Sequence, residues 1–187
     1  DGIPLLDLKG LVPDERIDDL IRVVVSRGGY VKNLHGQSGL YYQVNATYFS
    51  ALGEDERTML LARAIQLFMP GKPQVWYLDL LAGRNDHEAV ELAGPGGHKE
   101  INRTNLTADE VADRLSQGVV RDQLALLRFR NTCQAFGLDA RLDVLETPPQ
   151  QIALRWERDG SSALLEADLV TCGFTITDED GTVVFSQ

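Results

Sequence analysis

The side chains able to do chemistry are concentrated in two polar stretches. One, 82–107, holds Asp86, His87, His98, Lys99 and Glu100; the other, 30–43, holds His35, Gly36, Gly39, Tyr41, Tyr42 and Gln43. Imidazole and ammonium groups donate to oxyanions, so His35, His87, His98 and Lys99 suit an acidic small ligand. Histidines on solvated loops are nonetheless the commoner case. Asp79, Asp86 and Glu100 bring carboxylates to the same region, with Asp86 reading first as a residue that ties down its own loop. Cys133 and Cys172 stand far apart with no CxxC or Cys/His spacing. Neither a zinc site nor a disulfide framework is expected, and a reducing cytoplasm fits this usage. No metal or organic cofactor is implied.

The elements that must position these groups are organised around 60–81. There an amphipathic helix (Leu61, Ile65 and Phe68, with Leu60, Ala64 and Leu67 beside them) breaks at Pro70-Gly71-Lys72-Pro73. It restarts as the apolar run Val75–Leu78. Helix, Pro/Gly turn and continuous apolar run make the unit of a parallel α/β sheet. The spacing predicts a barrel-type strand over Gln74–Asp79, with the long loop that follows at its functional end. A lone strand cannot bury its two faces, so the remaining strands must come from elsewhere.

Upstream, 1–12 reads as a Leu-rich loop. Pro13, Asp14 and Glu15 open a helix carried by Ile17, Leu20, Ile21 and Val24 and stopped by Gly28-Gly29. Tyr30–Gln43 shows neither helical nor strand period, and 45–52 suits one or two helical turns. Downstream, Thr107 and Glu110 form a capping box; the helix pauses near Gly118 and is expected to run through Phe136 to Gly137. Beyond it the period changes to two, with hairpin turns at Asp159-Gly160 and Asp180-Gly181 and a Pro148-Pro149 edge or loop. The expected division is therefore 1–137, α/β and barrel-derived, and 138–187, a small antiparallel β domain.

A net charge of −10 argues against nucleic acid or an anionic membrane surface as partner. No run approaches the roughly 20 apolar residues of a membrane span. The chain opens on Asp1 rather than Met, which suggests a processed or truncated product.

Several segments, in order, resemble the sucrose phosphorylase branch of the α-amylase superfamily (glycoside hydrolase family 13). Asp1-Gly2-Ile3 looks like the end of its T-H-D-G-I segment, and 10–15 (GLVPDE) like the loop and helix start that follow. Tyr42-Gln43-Val44-Asn45, with Thr47-Tyr48 and Ser50-Ala51-Leu52, resembles YQVN-x-TYYSAL. Pro70-Gly71, Pro73-Gln74-Val75, Leu81-Ala82-Gly83 and Asn85-Asp86 resemble PG-x-PQVYYVG-x-LAGKND. Ile101-Asn102-Arg103 and Phe129-Arg130-Asn131 match INR and FRN. The fold implied is α/β: the C-terminal part of a (β/α)8 TIM barrel followed by a small antiparallel β domain.

The resemblance implies retaining glucosyl transfer from an α-glucoside (sucrose or glucosylglycerate) to inorganic phosphate, giving α-glucose 1-phosphate. Sucrose 6-phosphate as donor, and a hydrolase or transglucosidase of the same superfamily, are the alternatives. Asp1 matches the carboxylate that stabilises the transition state. The nucleophile and acid/base belong to strands preceding it, so the preceding part of the same barrel is required and these 187 residues alone should be inactive. Tyr42 and Gln43 match the acceptor loop, which in the family moves between steps; Gly36 and Gly39 would permit that. Lys99 stands where an Arg holds the glucose, keeping the charge and losing the bidentate fork. Leu40 stands where an Asp contacts the fructose side, which points to a changed acceptor. A reading from another class is a non-catalytic sugar-binding module, with Trp156 and Phe174 as its platform.

Overall fold

The computed structural model describes residues 2–33 and 41–187, without the side chains of Asn33, Tyr41 and Tyr42. Asp1, His35, Gly36, Gly39 and Leu40 lie outside the described residues. Two compact units are present, Asp1–Asp55 with Val75–Ser116 and Glu56–Gln74 with Gln117–Gln187.

In the first unit, β1 (Gly2–Pro4) and β2 (Tyr30–Asn33) both pair antiparallel with β3 (Tyr41–Asn45), giving the order β1-β3-β2. Helix α1 (Asp14–Ser26) places Asp14 and Glu15 at the positive end of its dipole and buries Ile17, Ile21 and Val24. Gly28, at φ 87°, turns the chain out of that helix into β2. The core gathers Leu5, Ile17, Ile21, Val24, Val44, Ala46 and Ala51. Three short helices follow, α2 (Tyr48–Ala51), α4 (Tyr77–Leu80) and α5 (His87–Ala93), with a 3-10 segment at Gly97–Asn102. The expected capping box is present: Thr107 N–H donates to Glu110 Oε2 at 2.7 Å, and Glu110 N–H to Thr107 Oγ1 at 3.3 Å, opening α6 (Ala108–Leu115). The Thr107 N–H, and the Thr107 hydroxyl that also donates to Glu110 Oε2 at 2.8 Å, hold the Glu110 carboxyl below the ordinary carboxylate range.

The second unit holds α3 (Glu56–Phe68), α7 (Gly118–Thr132) and a five-stranded antiparallel meander, β4 (Arg141–Leu145), β5 (Gln151–Arg158), β6 (Ser161–Asp168), β7 (Phe174–Asp178) and β8 (Val183–Ser186). Asp159 and Gly160 take φ 50° and 86°, the left-handed pair that a two-residue hairpin needs. Helix α3 packs on α7 and β6. Its buried face carries Met59, Leu60, Ala64, Leu67 and Phe68, while Ile65 is only half-buried. Arg63 is 2% exposed and donates through Nε to Gln123 Oε1 on α7 at 2.9 Å. A buried guanidinium is tolerable because it is hydrogen-bonded. Both cysteines are free thiols, and burial pushes that of Cys133 up, away from thiolate character.

Five expectations need correction. Gln74–Asp79 is not a strand: residues 72–76 have no regular structure, and Tyr77–Leu80 close a helical turn through Leu80 N–H to Trp76 O at 2.9 Å and Leu81 N–H to Tyr77 O at 3.0 Å. A strand needs a neighbour for its backbone groups, and none of the described strands pairs with this run. The long helix ends at Thr132, short of Phe136, which turns into the core against Phe68 and Trp156. Tyr30–Gln43 contributes strand residues after all, and 1–12 includes β1 and a 3-10 turn at Leu6–Leu8. Trp156 and Phe174 form no platform, being 4% and 3% exposed.

Candidate functional site

Strand β3 divides the first unit. Alternate side chains leave a strand on opposite faces, so Val44, fully buried, enters the core while Gln43 and Asn45 share the other face. There Gln43 Nε2 donates to Asn45 Oδ1 at 2.6 Å. Gly2 pairs across with Asn45. A Cβ at Gly2 would fall 2.4 Å from Gln43 Cδ, so only glycine lets the Gln43 side chain cross that strand. For the activity that the sequence resemblance implies, Gly2→Ala is therefore expected to displace Gln43 and lower kcat/KM of the full-length protein about tenfold. Stability should change by less than about 1 kcal/mol, because the clash is with the movable end of a side chain. Steady-state kinetics beside a thermal melt checks both.

The facing wall comes from the long polar stretch, which is sewn onto 46–51. Tyr48 N–H donates to Asp79 Oδ1 at 2.8 Å and Thr47 N–H to Asn85 Oδ1 at 2.7 Å. Asn85 N–H donates to Ser50 Oγ at 3.0 Å, Asn85 Nδ2 to Arg27 O at 3.3 Å, and Asn102 Nδ2 to Ala46 O at 3.2 Å. Asp86 caps α5 through Ala89 N–H at 2.9 Å and accepts from Thr104 Oγ1 at 2.7 Å. Asp79 and Asp86 are thus spent on backbone and loop, and Glu100 lies 3.4 Å from Arg103 Nη1.

These two walls enclose a pocket of about 160 Å³ lined by Gly2, Gln43, Asn45, Lys99, Asn102 and Arg103. Gln43 and Lys99, 56 positions apart in sequence, face one space. Every lining side chain but the glycine carries N–H donors, and none of the described ones is a carboxylate, so the pocket suits a ligand rich in acceptor oxygens. Asn45 is 1% exposed, and its Nδ2 has no hydrogen-bond partner among the described residues. An unspent buried donor costs about 1–3 kcal/mol.

Asp1 lies outside the described residues, and of Tyr42 only the backbone, in β3, is described. His87 and His98 gather elsewhere, around Tyr30: its hydroxyl is 3.4 Å from His87 Nδ1, and its ring stacks on His98 at 5.4 Å. Asn45 and Arg103 were quoted in the sequence motifs without a role. Period-two spacing from Gln43 would have found Asn45 had β3 been recognised. Among the described residues, no group of three or more His, Cys, Asp or Glu could hold a metal ion. No described helix is long and apolar enough to cross a membrane.

No protein-family model matches the chain. Over 96% of its length it is 54% identical to sucrose 6(F)-phosphate phosphorylase from Ilumatobacter coccineus, of which it covers 36%. Over 99% of its length it is 37% identical to sucrose phosphorylase from Streptococcus mutans, of which it covers 39%. The crystal structure of sucrose 6F-phosphate phosphorylase from Thermoanaerobacter thermosaccharolyticum matches 98% of the chain with a TM-score of 0.89 at 37% identity, and the chain spans 38% of that protein. The chain thus spans less than two fifths of each of these proteins, and its fold is the C-terminal part of a (β/α)8 barrel followed by a small antiparallel β domain.

Proposed function

Because the chain belongs to the sucrose phosphorylase-like branch of the α-amylase superfamily (glycoside hydrolase family 13), we propose that the full-length enzyme carrying it is a retaining α-glucoside phosphorylase. Sucrose 6-phosphate is the donor we put first. The supporting observation for that choice is 54% identity, across 96% of the chain, to a protein of that name. The replacement of an expected Asp by Leu40 also favours a donor other than plain sucrose.

In this reading the reaction runs by double displacement. A carboxylate attacks the anomeric carbon while a carboxylic acid about 5 Å away protonates the departing oxygen. Phosphate then displaces the enzyme carboxylate, leaving α-glucose 1-phosphate with the original configuration. Neither of those two groups is assigned to a residue of this chain. Asp1 would stabilise the positive charge that develops on the sugar ring. Tyr42 and Gln43 would donate to the incoming phosphate or the leaving sugar, and Lys99 would hold glucosyl hydroxyls. The pocket that brings Gln43 and Lys99 together supports the roles of those two residues. We assign 1–137 to the catalytic barrel and 138–187 to the C-terminal β domain. The segment alone would be inactive and the enzyme cytoplasmic.

The test is release of glucose 1-phosphate by the full-length enzyme with phosphate and, separately, sucrose 6-phosphate, sucrose and glucosylglycerate. Fastest release from sucrose 6-phosphate is expected. Faster release from either other donor keeps the mechanism and moves the leaving group. Free glucose in place of glucose 1-phosphate would make the enzyme a hydrolase, and no turnover of any donor by folded protein would end the phosphorylase reading.

A further inference from the structure

We infer that Asn45 both positions Gln43 and binds the ligand: its Oδ1 holds the Gln43 amide, and its Nδ2 donates to an oxygen of the molecule that fills the pocket. The inference deepens the reading of this site as the glucosyl-transfer site. Two observations carry it. The Asn45 side chain is 1% exposed, lines the pocket, and leaves Nδ2 without a partner among the described residues. Asn85 in the same unit behaves differently, spending both ends of its amide on backbone, at Thr47 N–H and Arg27 O. A structural asparagine satisfies itself within the protein; Asn45 is satisfied on one side only.

The direction of that unspent donor follows from its own hydrogen bond. With Oδ1 accepting from Gln43 Nε2 at 2.6 Å, Nδ2 is the atom left to the pocket. The neighbouring donors on Lys99 and Arg103 make an acceptor oxygen its partner. That oxygen is supplied by a glucosyl hydroxyl or by phosphate, and kinetics separates the two.

The experiment compares Asn45→Ala, Gln43→Ala and the double variant in the full-length enzyme. Asn45→Ala is expected to lower kcat/KM at least tenfold, Gln43→Ala less, and the double variant to stay within about twofold of Asn45→Ala. A rise confined to the KM for phosphate assigns the oxygen to phosphate. An equal fall in phosphorolysis and in the slow water reaction assigns it to the glucosyl group. Should no turnover be found, the change in melting temperature on adding glucose or phosphate, in wild type and Asn45→Ala, reads the contact apart from the reaction. The smaller shift is expected in the variant. An Asn45→Ala enzyme within twofold of wild type, losses that multiply in the double variant, or an unchanged ligand shift would overturn the inference.

Discussion

For the proposed glucosyl transfer, Lys99→Ala in the full-length protein is expected to lower kcat/KM about a hundredfold. Of the described side chains that line the site only Lys99 and Arg103 are cationic, and Arg103 is shared with Glu100 at 3.4 Å. Lys99 has no acidic partner among the described ion pairs, so its ammonium is the charge more readily given to a ligand. A hydrogen bond to a charged group contributes about 1.5–3 kcal/mol, and about 2.7 kcal/mol is a hundredfold. Lys99→Arg restores the planar fork that the sequence resemblance leads one to expect, and should keep activity within about tenfold of wild type. Loss in the alanine variant of less than twofold would remove Lys99 from the site.

The second large effect concerns stability. Trp156→Ala is expected to cost about 3–5 kcal/mol, as truncation of a buried large aromatic does. Trp156 is 4% exposed, its ring lies 5.8 Å from Phe136, and the Arg130 guanidinium sits 5.6 Å from its centroid. Its indole Nε1 also donates to the Phe68 carbonyl at 2.9 Å, which terminates α3. Trp156→Phe keeps most of the packing and leaves that carbonyl unpaired, so it should cost about 1–3 kcal/mol. Denaturant unfolding of the two variants measures both, and equal losses would show that the hydrogen bond contributes nothing.

Much of this was legible in the chain, for local reasons. Ile17, Ile21 and Val24 announce α1, Thr107 and Glu110 announce the start of α6, and Asp159-Gly160 announces the β5–β6 hairpin, because each signal lies within a few residues. The elements that escaped depend on distant partners. Strand β3 reads Tyr-Tyr-Gln-Val-Asn, with its polar positions facing a pocket rather than solvent, and its pairing with β2 shifts register at Lys32/Asn33. Val75–Leu78 has the composition of a strand but no described neighbour to pair with. Arg63 sits in the middle of an apolar face because Gln123, 60 residues on, receives it. Of the site, Gln43 and Lys99 could be singled out by likeness, whereas Asn45 needed the strand.

That strand imposes a parity on change. Val44 is locked to the core, and the pairings Gly2 with Asn45 and Ile3 with Val44 set which side chains face the pocket. A slip of one residue would send Gln43 and Asn45 inward and put valine in their place. A two-residue slip would restore the facing yet present different side chains. Attempts to retune the proposed acceptor are therefore best made by substitution at 43 and 45, or by length changes that leave those pairings untouched. Odd-numbered insertions within β3 itself should yield protein that neither folds this unit well nor binds the proposed glucosyl donor.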